Sequence, residues 1–374
     1  MIDRRSALLL ALGGLSLLAG LAGALLLLGI GLPRPATHLA AAHGLLMTLG
    51  FLGTMIALER AVALGRRWAF LAPLLAGVAA AALATGANGL VPALLLFAAG
   101  IVLCAIYVAF DRLEAAIHIR TQAVGAVAWP VAGALLLAGR PVSEVTPWLA
   151  AFLVLVIAGE RLELSRLGRL SDRARALFMV VTGVFVAGVI LTLANPDAGM
   201  RLAGAGLVGL TGWLVRHDLA RRTVRIGGVT RFIGLCLLIG YAWLAVAGVA
   251  WVAFGSTAGG PAYDAMLHAL FLGFVISMVF GHAPVIVPAV LRVPLPYRPR
   301  FYLHLALLHG GLLLRIVGGD LLGLEALWRL GGIVNVVALL VFVGSSAASV
   351  LQERSARRAL VQWKPNSVTV EADS

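Results

Sequence analysis

The sequence predicts an all-α, polytopic membrane bundle of about twelve transmembrane helices, and three observations carry that expectation. Hydrophobic residues make up 61% of the 374 residues and charged residues only 12%, against about 25% charged in a typical soluble chain. The mean hydropathy is +1.01. Uncharged apolar stretches such as Ala7 to Gly31 exceed the roughly 18 residues that distinguish a membrane span from a buried core helix. At about 20 apolar residues per crossing plus a short connection, the length divides into about twelve spans. A water-soluble globule is excluded.

The spans follow in order from apolar stretches set between charged or Pro/Gly breaks. The first, 6–31, follows Met1-Ile-Asp-Arg-Arg; it is too long for a signal-peptide core and lacks a clear small-residue cleavage site, so it stays as a span. The others lie near 36–58, 69–86, 89–110, 119–139, 145–160, 176–194, 199–215, 231–254, 262–291, 301–318 and 325–350. Residues 1–351 form the bundle. The polar segment 352–374, ending in Glu371 and Asp373, is expected to be a disordered cytoplasmic tail.

The net charge of +13 and a pI near 11.3 would point to nucleic acid in a soluble protein. Here the basic residues follow the topology instead. With the N-terminus in the cytoplasm, all but Arg34, Arg140, Arg201, Arg315 and Arg329 of the 29 Lys and Arg residues fall on the cytoplasmic side. That bias orients spans on insertion. It predicts an inner (cytoplasmic) membrane protein with both termini inside and no nucleic-acid partner. Cys104 and Cys236 sit in apolar runs and form no CxxC motif, so they read as small buried hydrophobes.

A weak repeat with a four-span period suggests three copies of a four-helix unit. Ala57-Leu58-Glu59-Arg60 recurs as Ala158-Gly159-Glu160-Arg161, and Gly50-Phe51 with Met55 recurs as Gly273-Phe274 with Met278. In that register Glu59, Glu160 and His282 occupy equivalent places. The two Glu-Arg pairs read as hydrated charges at cytoplasmic span ends.

Ionisable residues inside spans are costly and mark function first. Of eight histidines, His118 and His217 fall in basic connections and read as solvated, and His38 reads as interfacial. His43, His268, His282, His304 and His309 lie within spans. The second and tenth spans run in the same direction. His43 and His268 each sit about six or seven residues in, at about 1.5 Å per residue and so about 10 Å deep. Two imidazoles at one depth can ligate one haem iron from facing helices, or each can simply bond a neighbouring helix.

His282 follows His268 by 14 residues, which is about 3.9 turns and about 21 Å, so both share a helix face if the helix stays regular. That spacing suits two stacked cofactors. His309 is expected near the depth of His282, with His304 closer to the cytoplasm. A second haem or a copper ion there, with Glu59 or Glu160 as carboxylate partner, stands beside a polar packing cluster or proton relay. Arg315 is placed either to pair with haem propionates, to snorkel, or to pair with Asp320. Pro284, Pro288, Pro294, Pro296 and Pro299 kink the region after His282 or open backbone groups to a ligand. No Walker loop, dinucleotide glycine fingerprint, HExxH or cysteine metal cluster is present, so ATP-driven transport and zinc-peptidase readings lack support.

The twelve-span plan, His43-Gly44-Leu45-Leu46-Met47 and His268-Ala269-Leu270-Phe271-Leu272-Gly273 resemble haem-copper oxidase subunit I. They look more like the NnrS family, a haem- and copper-containing membrane group linked to nitric-oxide stress. His304-Leu-Ala-Leu-Leu-His309 followed by Arg315 adds to the similarity. The resemblance implies His43 and His268 as low-spin haem ligands, and the repeat fits the pseudo-threefold oxidase plan. It departs at the oxidase copper site, since neither 145–160 nor 176–194 contains a histidine. Oxygen reduction coupled to proton pumping is therefore not implied.

The leading expectation is a haem-binding membrane protein that handles electrons or nitric oxide, with His43, His268 and Arg315 at the cofactor. Its expected partners are the lipid bilayer, a small diatomic ligand such as nitric oxide and an electron donor. The alternatives are a cofactor-free secondary transporter using intramembrane His and Glu residues, and an assembly subunit in which the histidines only cement helices.

Overall fold

The computed structural model describes residues 4–31, 36–165 and 170–362. No strand occurs among them, and twelve helices are long and apolar enough to cross a membrane. They are α1 Arg5–Leu27, α2 Thr37–Leu64, α3 Arg67–Ala84, α4 Leu90–Leu113, α5 Ile117–Leu137, α6 Val142–Ser165, α7 Asp172–Leu191, α8 Pro196–His217, α9 Gly228–Phe254, α10 Gly260–Val290, α11 Phe301–Leu321 and α12 Glu325–Glu353. The all-α polytopic bundle expected from composition is what the chain forms. Arg34, Arg166, Arg169 and Lys364 lie outside the described residues, as does 363–374 of the expected tail. The last helix continues through Gln362, beyond the expected tail boundary at 352.

The bundle is apolar outside as well as inside. Leu8, Leu15, Val180 and Val249 are all about 60% exposed on helix faces that water would not tolerate and lipid tails would. The most enclosed span is α6, with 83% of its most apolar window buried against 28% for α12. Sequence neighbours pack as pairs, α5 on α6, α7 on α8 and α11 on α12, as short connections require. Small residues let some backbones approach closely. A Cβ added at Gly188 would strike the Ala203 backbone, and one at Gly206 would strike Phe185.

Three of the described spans carry a π-helical segment. Leu46–Gly53 in α2, His268–Ile276 in α10 and Leu314–Leu321 in α11 are π-helical. A π-turn places one extra residue in each turn, and such segments concentrate at functional sites. The sequence placed candidate ligands on these same three spans. The condition for His268 and His282 to share a face, a regular α10, is therefore not met. The π-segment between them changes their relative phase by about 100° for each residue it inserts.

Candidate functional site

Two cavities lie one above the other in a slot between α1, α2, α6, α10 and α12. The first, about 360 Å³, occupies the half reached by the C-terminal part of α1 and is also bordered by Arg315 of α11. The second, about 370 Å³, occupies the half reached by the N-terminal part of α1. Both volumes fall within the roughly 300–1,000 Å³ of small-molecule sites. Leu52 borders both.

His43 and His268 face the first cavity from α2 and α10, so the structure brings together the two histidines matched by depth. Each imidazole is fixed the same way. His43 Nδ1 lies 2.8 Å from the Gly20 carbonyl oxygen of α1, and His268 Nδ1 lies 2.9 Å from the Asp264 carbonyl one turn earlier. A carbonyl only accepts, so Nδ1 carries the proton and donates in both cases. In the neutral ring this leaves Nε2 as a bare lone pair. A histidine held through Nδ1–H has the tautomer and ring orientation of a metal-ligating imidazole.

Arg315 also borders this cavity, but its partner is Asp264 rather than Asp320. Its Nε donates to Oδ2 and its Nη2 to Oδ1, each at 2.7 Å, with the pair 10% and 17% exposed. Trp328 Nε1 donates to Asp264 Oδ2 at 3.3 Å, and the Trp328 ring lies under the guanidinium at 4.9 Å. Asp264 thus anchors His268 through its backbone carbonyl, with its Oδ1 3.3 Å from the same Nδ1, and Arg315 through its side chain. Sequence reasoning passed over this residue, although its position four before His268 was a readable signal.

A further pocket of about 240 Å³ lies beside the first cavity and shares Thr146, Tyr263 and Leu267 with it. Thr146 Oγ1 donates to the Val142 carbonyl at 2.9 Å, so at 3.3 Å it accepts from the Tyr263 hydroxyl. The Arg140–Glu144 ion pair gives this pocket a polar rim.

The second cavity gathers Glu59, Glu160 and His282, the three residues the repeat places in equivalent positions. The Glu-Arg pairs are not separate hydrated span ends. Arg60 Nη2 donates to Glu59 at 2.6 Å and to Glu160 at 3.1 Å, joining α2 to α6. Arg161 is buried and faces Asp218 at 3.9 Å. His282 donates through Nδ1 to the Met278 carbonyl at 2.6 Å, and its buried Nε2 has no hydrogen-bond partner among the described residues.

The remaining histidines sit elsewhere. His309 does not border the His282 cavity: its Nδ1 accepts from Trp243 Nε1 at 2.9 Å, leaving Nε2–H to face Ser277 Oγ at 3.3 Å. Ser277 in turn donates to the Gly273 carbonyl, so both His309 nitrogens are spent. His304 is boxed by Phe280, Phe342, Phe301 and Phe232 with ring centroids 4.5 to 6.0 Å away. His118 is buried at the start of α5, 3.7 Å from Glu163, rather than solvated in a loop. Among the described residues no group of three or more His, Cys, Asp or Glu side chains is placed to hold a metal ion, so His282, His304 and His309 form no shared copper-ligand set.

Residues 5–351, nearly the whole bundle, match the domain of unknown function DUF8744. No curated protein matches the chain.

Proposed function

We propose a haem-binding function for this chain, which belongs to the DUF8744 family: a membrane protein of NnrS-like type serving electron transfer or nitric-oxide response. One observation supports it above the rest. Two histidines from α2 and α10 line one largely apolar cavity, each with Nδ1 pinned to a carbonyl, which leaves Nε2 as the lone pair available to a ligand. That donor set fits axial ligation of haem iron. Arg315 supplies a cation at the cavity wall, already oriented by Asp264, where carboxylate groups of the cofactor would otherwise lie unpaired.

Haem bound there would supply one-electron chemistry and an affinity for diatomic ligands. The chain's own residues do the rest. Gly20 and Asp264 fix the ring tautomers, and the aliphatic lining excludes water. The bias of the basic residues supports an inner membrane with both termini cytoplasmic in this reading. A reduced-minus-oxidised visible spectrum of the detergent-purified protein, beside His43→Ala and His268→Ala, tests it. A haem spectrum that either substitution abolishes is expected. No haem in protein produced with ample haem supply overturns the reading.

The second reading is a cofactor-free secondary transporter. The Glu59–Arg60–Glu160 cluster inside the bundle and the π-helical segments beside both cavities favour it, since transporter sites combine interrupted helices with intramembrane charge. Haem-free protein with a pH-dependent substrate flux in proteoliposomes would establish it instead.

A further inference from the structure

We infer that the second cavity is a binding site for a lipid-soluble hydroxyl donor of the quinol class, entering from the bilayer between α1 and α12. Two residues that line it carry buried polar atoms with no hydrogen-bond partner among the described residues: His282 Nε2 on α10 and Ser346 Oγ on α12. Buried polar atoms are almost always satisfied, so two orphans on residues that line one cavity point to a missing ligand. Because His282 Nδ1–H is spent on the Met278 carbonyl, Nε2 only accepts. The ligand must therefore bring a donor, which an alcohol, phenol or quinol has and a quinone lacks.

The rest of the wall agrees. Its other polar groups are Glu59 and Glu160, both acceptors already sharing Arg60, and among the described residues no Lys or Arg borders the cavity. A ligand bearing carboxylates, haem included, finds nothing here like the Arg315 of the first cavity. Phe51, Phe342, Met55 and Met278 give rings and thioethers that pack on a flat headgroup.

The entrance faces lipid. Val343 (41% exposed) and Ala347 of α12 border the cavity and are exposed, and across from them a Cβ at Gly14 of α1 would meet nothing within 4 Å. An apolar slot open sideways is supplied from the membrane phase, not from water. The inference goes beyond the haem reading and does not require it, since His282 and Ser346 border only the second cavity.

The test is equilibrium binding of radiolabelled decylubiquinol, and separately decylubiquinone, to the full chain in phospholipid nanodiscs without oxygen. Saturable quinol binding is expected, at least tenfold tighter than quinone binding. His282→Ala is expected to weaken it at least tenfold. Gly14→Leu, which puts its side chain into open space, is expected to block the entrance with the fold kept. His43→Ala, outside this cavity, is expected to keep quinol binding, so a failed haem reading leaves this result intact. Equal binding of quinone and quinol, retention of quinol binding in both His282→Ala and Gly14→Leu, or displacement of quinol by tetraphenylphosphonium overturns the inference. So does a haem count that drops by one per chain in His282→Ala.

Discussion

Arg315 of α11 closes two hydrogen bonds of 2.7 Å on Asp264 of α10, while the backbone carbonyl of the same Asp264 holds the His268 ring. One residue therefore couples an interhelical ion pair to the orientation of a candidate ligand. Removing one partner of such a buried pair leaves an uncompensated charge, at a cost of about 3–5 kcal/mol. Asp264→Ala is expected to lower the thermal midpoint of detergent-solubilised protein sharply. The double variant Asp264→Leu/Arg315→Met, with no stranded charge, is expected to recover most of the loss. Equal destabilisation by single and double variants would contradict this.

Gly23 sets the distance between α1 and α2. A Cβ there would run into the Leu39 carbonyl and stand 3.3 Å from His43 Cβ. Gly23→Ala is expected to push α2 outward, with an overpacking cost of about 1–3 kcal/mol, and to break the Gly20–His43 hydrogen bond. The measurement is haem content against fold: bound haem falls while the far-ultraviolet helical signal is unchanged. Wild-type haem content in this variant would show that His43 does not depend on its anchor.

Trp243 donates to His309 at 2.9 Å, and the chain of bonds continues through Ser277 to the Gly273 carbonyl inside the π-segment of α10. Trp243→Phe keeps a ring but strands the His309 Nδ1 acceptor, which costs about 1–3 kcal/mol. Thermal unfolding is expected to show that loss, with haem content retained because His309 borders neither cavity. Loss of haem with unchanged stability would reverse the assignment.

Asp218, between α8 and α9, is the titrating group to follow with pH. Burial pushes its carboxyl above the ordinary value, against the pull of Arg161 and the Ala220 amide. A carboxyl raised in the folded state takes up protons on folding, so stability falls as pH rises from the unfolded-state value of about 3.9 through the native one. The thermal midpoint is expected to decline across that window, and Asp218→Asn to flatten the decline. A midpoint that climbs with pH there, with the same slope in both proteins, would contradict it.

The twelve spans were legible because a bilayer imposes one length and one composition on every crossing, and α1 and α10 show both plainly. The common depth of His43 and His268, which line one cavity, was legible from their positions along the spans. Depth says nothing about azimuth, however, and the partners of Arg315 and His309 depend on azimuth. Asp264 and Trp243 became their partners through the way α9, α10 and α11 rotate against one another. Glu59-Arg60 and Glu160-Arg161 read as two separate hydrated span ends, yet Arg60 bonds its own neighbour Glu59 and also reaches from α2 to Glu160, a contact set by how the two helices face each other. The π-segments leave no mark in hydropathy, so the phase of His282 was beyond reach.

Those segments also bear on how the chain can change over time. A π-turn is what a helix makes of a single inserted residue when the flanking contacts are too good to move. Leu46–Gly53, His268–Ile276 and Leu314–Leu321 are thus places where one-residue length differences between family members are expected to collect. A deletion there would let the segment relax to an α-helix and swing everything beyond it by about 100°. In α2 it would turn His43 against Glu59, and in α10 His268 against His282. The two cavities, divided by Leu52, could then gain or lose their polar groups independently, without a single substitution at the groups themselves.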